Sequence, residues 1–313
     1  MTAPEYPASP TLDPQLYEDG DDEDDIRWKA PLEALMNGTL TPLQAAQNID
    51  KMLRTETSER LQMLIDFAKS HSMDIDEEES YDWGGLPAPN AGAFAEDIIR
   101  SYCRVCMAFS PYSEGQNRLI KLLEELRGLP RWMAPESRPD ESGNFHKSEF
   151  WLFGYNWLGL EDQFRRQHPQ YYRDTAAHNR WRNFQHVMAR ITASKLIYCA
   201  PFNALQDIVP QSDKRSLECD IIAAAQWVLW PTECRYVYKE CLKRQTTTHH
   251  WEPWSKEGWS LFKKGFEVVV ENEEYNSHTK SIARQALEQM NSIEKEIAED
   301  AGREDGSSGG GSN

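Results

Sequence analysis

Apolar residues in this chain recur every three or four positions and almost nowhere every two. That period puts side chains on one face of an α-helix and excludes most β architectures. Leu43, Ala46, Ile49 and Leu53 form one stripe, opened by Thr41-Pro42, an N-cap followed by proline at the first helical position. Leu61, Leu64, Ile65 and Ala68 form the next. Phe94, Ile98, Tyr102, Val105 and Phe109 follow, then Leu119, Leu122, Leu123 and Leu126, ended by Gly128 and Pro130. Further on come Trp181, Phe184, Met188 and Ile191, and a short stripe of Phe202, Leu205 and Ile208 stopped by Pro210. Leu217, Ile221, Ala224 and Val228 precede a break at Pro231, after which Cys234, Val237 or Tyr238, and Cys241 continue on a new helix. Ser255 caps Trp259, Phe262, Phe266 and Val269. Ser277 caps the last stripe, through Ile282, Ala286, Met290, Ile293 and Ile297. The one β-branched cluster, Val268-Val269-Val270, continues a helical stripe. The expected fold is all-α: ten to twelve amphipathic helices packed as antiparallel pairs, compatible with an irregular HEAT-like repeat array.

The charge is uneven. The formal net charge is −17. Residues 1–25 hold nine acids and no base, and residues 294–313 hold six acids against two bases, so the stretch between them is close to neutral. Acid-rich, proline-rich or Gly/Ser-rich ends bury too little apolar surface to offset ordering entropy. The expected organisation is an unfolded acidic tail over 1–26, a helical half over 27–130 and a connection over 131–147, where Pro135, Pro139 and Gly143 fall. An aromatic-rich helical half over 148–297 and a second unfolded tail over 298–313 complete it. No leader-like or membrane-spanning run is visible, since the longest apolar stretch, Ile221–Trp230, is broken by Gln226. With six cysteines inside helical patterns, the expectation is reduced, buried thiols and a cytoplasmic protein, with the nucleus left open.

Several segments together resemble a known family. They are Asn37-Gly-Thr-Leu-Thr-Pro-Leu-Gln-Ala-Ala46, the stretch from Trp181 through Asn183-Phe184 to Ala189-Arg190-Ile191-Thr192, and Asp220-Ile-Ile-Ala-Ala-Ala-Gln-Trp-Val228. Trp254-Ser-Lys-Glu-Gly-Trp259 with Phe262 and Phe266, and Ala283-Arg-Gln-Ala-Leu-Glu-Gln-Met290, complete the set. The sequence is similar to an all-helical family of filamentous fungi catalogued as a domain of unknown function, over roughly residues 27–293. The resemblance implies an intracellular fungal protein with a helical fold, and it carries no catalytic residues or cofactor. Trp230-Pro231-Thr232 stands where the resemblance leads one to expect a glycine-containing turn.

Four clusters hold residue types that do chemistry. Cys103 and Cys106, three apart on a helix, turn both sulfurs one way, but zinc needs a second ligand pair and a redox motif needs a preceding strand. Packed core thiols are therefore expected, with no metal and no cofactor. Asp21-Asp22-Glu23-Asp24-Asp25 matches the aspartate-rich magnesium motif of helical terpene cyclases. It lacks both the apolar surroundings and a second metal motif, so it reads as a solvated run. Arg165, Arg166, Arg173, Arg180 and Arg182 lie in a basic, aromatic-laced stretch and form a candidate interaction face. Such a face pairs with this protein's own acids or with an acidic protein partner before it suits nucleic acid. Trp227, Trp254 and Trp259, with His250 between them and with Trp151 and Tyr155 from the preceding aromatic segment, are candidate ligand-binding residues if they line a pocket. Glycine-rich phosphate loops, nucleophile elbows and paired-histidine zinc motifs are missing from the sequence. Two functional readings follow. One is a non-catalytic helical module that binds a protein partner. The alternative is a helical small-molecule binder or enzyme of specialised metabolism with an aromatic-lined pocket in its second half.

Overall fold

The computed structural model describes residues 11–71, 89, 91–136, 145–154, 175–211, 215–247 and 253–307. The fold is all-α, with nine α-helices and one two-stranded sheet among the described residues. The chain divides into two compact units. An N-terminal unit takes Asp13–Cys106 and Tyr112–Gln163; a C-terminal unit takes Met107–Pro111 and Phe164–Asn313 together with Met1–Leu12. The division at Gln163 lies beyond the 131–147 connection anticipated from its prolines. That connection instead contributes an antiparallel pair, β1 (Trp132–Pro135) on β2 (Lys147–Phe150), with Trp132 opposite Phe150.

In the N-terminal unit, α1 (Glu23–Met36) begins inside the acidic run. Asp22 accepts from the backbone N–H groups of Asp24 and Asp25, and the Asp25 carboxylate accepts from the Asp22 N–H. This reciprocal box satisfies N–H groups that a helix start otherwise leaves open. Lys29 Nζ lies 2.6 Å from both oxygens of Asp21, and Leu16 is buried. Residues 11–26, anticipated as unfolded, thus hold defined structure here, because their acids have specific donors to meet.

A turn at Gly38, with φ +74°, leads to α2 (Pro42–His71). Arg118 fills the space a side chain at Gly38 would take and donates to the Leu35 and Met36 carbonyls, closing the α1 C-terminus. Thr41 and Gln44 exchange bonds across the start of α2, as the sequence suggested for Thr41. The stripes at 43–53 and 61–68 belong to this one continuous helix. No glycine or proline separates them, and Leu43 itself is exposed. α3 (Ala91–Ala108) and α4 (Glu114–Gly128) complete the unit's helices, with Tyr102 donating to the Leu119 carbonyl.

The C-terminal unit is built on α5 (Thr175–Ala193). Every residue from Trp181 to Ala189 is buried, not only the Trp181/Phe184/Met188 stripe. A helix surrounded on all sides must pair its polar side chains. Gln185 does so by accepting from the Ala204 N–H and the Trp227 indole and donating to the Phe202 carbonyl. It thereby ties α5 to two 3₁₀ turns, Ala200–Phe202 and Ala204–Ile208. α6 (Glu218–Ala225) and α7 (Pro231–Cys241) follow, with Pro231 at the first helical position of α7. α8 (Lys256–Glu271) is capped by Ser255, which accepts from the Gly258 N–H. α9 (Ser277–Ser307) is capped by Asn276, one residue before the serine anticipated, through the Thr279 N–H. α9 packs on α6, α7 and α8, and α5 packs on α6 and α7.

Candidate interaction groove

α1 and α2 run antiparallel through the Gly38 turn, and their inward stripes are consumed by the core. Trp28, Leu32 and Leu35 of α1 and Ala45, Ala46, Ile49 and Leu53 of α2 are all buried. Each helix carries a second stripe. On α1 it is Arg27, Ala30, Pro31 and Ala34; on α2 it is Asn48, Lys51, Met52, Thr55 and Glu56. Both follow the spacing of one helical face. They line a groove of about 630 Å³, open to solvent and closed at one end by Thr39 and Leu40 of the turn. Its floor is apolar, since Ala30 and Ala34 are short and Pro31, Leu40 and Met52 present only carbon and sulfur.

The charges at the rim are unequal. Glu56 accepts from Arg60 Nε at 2.7 Å and from the Arg27 guanidinium. Burial by itself would raise the Glu56 pKa, but the two arginines outweigh it and hold the carboxyl below the usual glutamate range. The same guanidiniums bracket a stacked ring pair. Trp28 and Phe94 lie 4.8 Å apart, with Arg27 over Trp28 at 5.5 Å and Arg60 over Phe94 at 4.3 Å. Lys51, by contrast, is exposed and has no ion-pair or hydrogen-bond partner among the described residues. A carboxylate kept ionised by two guanidiniums has no proton to donate and little basicity to offer.

The aromatic candidates act as packing elements where they are described. Trp227 is fully buried, 5.7 Å from the ring of Trp254, which meets Phe262 edge-on at 6.5 Å. Trp259 donates its indole N–H to Glu294 at 2.6 Å and lies against Tyr238 at 4.8 Å; Lys263 also grips Glu294, at 2.8 Å. These bonds fasten α8 to α9. Trp151 belongs to the N-terminal unit, half-buried beside Phe153 and covered by the Arg131 guanidinium at 4.9 Å. Tyr155 and His250 lie outside the described residues, as do Arg165, Arg166 and Arg173. Of the basic stretch, Arg180 is half-buried. Arg182 is buried against Asn183, to which it donates at 2.7 Å, because α5 is enclosed on all sides; it is not part of an open face.

All six cysteines are buried free thiols. Burial pushes Cys199, Cys219 and Cys241 up to about 12 and raises Cys106 and Cys234 as well, so each stays protonated at neutral pH. Among the described residues no three His, Cys, Asp or Glu side chains are grouped as metal ligands, and no helix is long and apolar enough to cross a membrane.

The family described as "Protein of unknown function (DUF3632)" matches residues 100–298, more than half of the chain. The chain belongs to the DUF3632 family. No curated protein and no solved structure matches it. The DUF3632 match starts later than the resemblance over 27–293 implied, within α3, and it takes in α4, α5 to α8 and α9 as far as residue 298. The groove residues, Arg27 to Glu56, precede it. The groove is hard to read from sequence because one stripe mixes alanines with Arg27 and the other is mostly polar or charged, so both read as solvated helix backs. The available signal was the doubled period, with small residues at 30, 31 and 34 in line with Arg27 beside a core stripe at 28, 32 and 35.

Proposed function

We propose that this DUF3632 protein is a non-catalytic helical interaction module, and that the trough between α1 and α2 is where it takes its partner. The observation that carries this reading is the pair of parallel stripes at 27/30/31/34 and 48/51/52/55/56, which leave an apolar channel open on a hairpin whose core is already filled. Helical hairpins with such a channel bind partners by accepting a further element along it. The protonated, enclosed thiols and the doubly paired Glu56 support a binding role over a catalytic one. Reduced cysteines also support a cytoplasmic or nuclear setting. The small-molecule alternative drew on Trp151, Tyr155, Trp227, His250, Trp254 and Trp259; of these, the rings of Trp227, Trp254 and Trp259 are engaged with one another, with Tyr238 and with Glu294, and Tyr155 and His250 lie outside the described residues.

The test uses the full chain with the groove filled. Ala30 is exposed, so Ala30→Trp occupies the trough without entering the core. Helical content and melting temperature are expected to match the parent, while a partner captured by the parent chain is lost by the variant. A partner retained equally by both proteins places the binding surface elsewhere and refutes the assignment.

A further inference from the structure

We infer that the occupant of the α1–α2 trough is an amphipathic helix that carries an acidic residue facing Lys51. This rests on the interaction reading above and specifies its partner. The shape argues for a helix. The lining spans residues 27–34 on one wall and 48–56 on the other, about eight residues or ~12 Å of each helix. Two antiparallel walls with stripes at helical spacing form the seat that a third helix fills in a bundle, ridges of the newcomer entering the groove between them. A strand would bring a row of backbone donors and acceptors to a floor of Ala30, Ala34 and Met52, where Pro31 leaves only the Arg27 carbonyl without its helical donor. A helix satisfies its own backbone and needs only an apolar stripe. Ala30 and Ala34 on the α1 side admit close approach, so the partner's side chains over that wall are medium or large.

The charge argues for the acid. Three ionised groups line the trough: Arg27, Lys51 and Glu56. Glu56 already takes two guanidiniums, and Arg27 is shared between Glu56 and Asp24, the latter at 3.4 Å. Lys51 alone is unmatched, and it sits in the middle of its wall, beside Met52. A basic partner would meet an unopposed ammonium next to an apolar floor. An acidic side chain one turn off the partner's apolar stripe would pair with it and leave Glu56 undisturbed. The contact is two to three turns long, at the small end of specific interfaces, so micromolar affinity is expected.

The experiment presents the full chain to a displayed library of helical peptides of about 15 residues, some four turns. The helix-facing frame is fixed and the positions across one face are randomised. Enriched clones are expected to combine an i, i+3, i+4, i+7 apolar stripe with a Glu or Asp at one recurrent flanking position. Lys51→Glu is expected to weaken those clones about tenfold, and replacing their acid with lysine to restore binding to that variant. Ala30→Trp is expected to abolish binding. If enriched clones lack the acid, or ignore Lys51→Glu while losing binding to Ala30→Trp, the acidic-helix inference falls and the groove reading stands. If they bind Ala30→Trp as well as the parent, the groove itself is refuted. If no clone is enriched, the helix inference is overturned, and the groove is judged by partner capture alone.

Discussion

Gly265 sits where α8 crosses the Ala204–Ile208 turn, and replacing it with alanine tests how that crossing is packed. An added Cβ would lie 2.3 Å from the Ile208 carbonyl oxygen, 3.1 Å from its carbonyl carbon and 3.3 Å from its Cγ1. Carbon and oxygen do not approach much closer than 3 Å, so α8 or the turn must retreat by about 0.7 Å. Both sides of the clash are anchored. Backbone cannot rotate away as a side chain would, and the turn is held by the Gln185 bonds to Ala204 and Phe202. Overpacking of this kind costs about 3 kcal/mol. Alanine returns about 1 kcal/mol through its better helix propensity. The net expectation is a loss of about 2 kcal/mol, or roughly 4–8 °C in the melting temperature of a unit of this size. Gly128→Ala is the matched control. Nothing lies within 4 Å of a Cβ there, so only the propensity gain remains and the melt should rise slightly. Thermal unfolding followed by circular dichroism gives the magnitude. Hydrogen exchange places it, with protection lost over 204–208 and 256–271. A Gly265→Ala protein as stable as the parent would show that α8 does not approach the turn this closely.

Three further outcomes follow from the same structure. Gln185→Leu removes the acceptor of the Trp227 indole and of the Ala204 N–H, stranding two buried donors; a loss of about 3 kcal/mol is expected, read by denaturant unfolding of tryptophan emission, and a loss below about 1 kcal/mol would contradict the staple. Glu56 and Glu18 have pKa values held down by arginines, Glu56 by Arg60 and Arg27 against its burial and Glu18 by Arg104, so their contribution is complete above the unfolded value of about 4.3 and is lost as pH falls through the folded one. Melting temperature should fall gently below about pH 6.5, where unfolded His186 takes up a proton that burial and the nearby Arg190 and Arg182 deny it in the fold, and more steeply below about 5 as the glutamates protonate; Glu56→Gln should start lower and fall less in that lower range, and equal slopes there in both proteins would remove Glu56 from the account. Native protein at pH 8 should leave its thiols unmodified by a disulfide reagent, with all six reacting after unfolding; fast reaction of any one in the native state would show that its burial is incomplete.

The parts of the fold legible in the sequence are those set by local rules. α8 is the plainest case, since Ser255, Trp259, Phe262, Phe266 and Val269 supply a cap and a stripe that need no knowledge of the rest of the chain. α5 was half legible. Its stripe was read, but enclosure by α6, α7 and the 3₁₀ turns is a tertiary fact, and Asn183 and Gln185 look like solvent-facing residues until their buried partners are known. The pairing of Trp132 with Phe150 is non-local and only four residues long, so no window of sequence carries its period. The acids at 21–25 misled for a different reason. A run of like charges reads as solvated, yet one backbone end and one lysine were enough to give Asp22 and Asp21 fixed work.

The groove escaped for a reason that also bears on its purpose. Its stripe shares helices with the core stripe but is not needed to form them. Trp28, Leu32 and Leu35 against Ala45, Ile49 and Leu53 already bury the hairpin, and deleting such side chains costs about 2–5 kcal/mol each. Ala30 and Lys51 are exposed, and changes there should cost within about 0.5 kcal/mol. On the proposed reading, most of the stability of the two helices lies on the core face, and Ala30 and Lys51 on the other face serve binding. Leu32→Ala should unfold the hairpin and lose the partner together, whereas Lys51→Glu should lose the partner from a protein that melts as before. If Lys51→Glu instead lowers the melting temperature as much as Leu32→Ala, Lys51 belongs to the fold, and the unmatched charge that defines the partner is not unmatched.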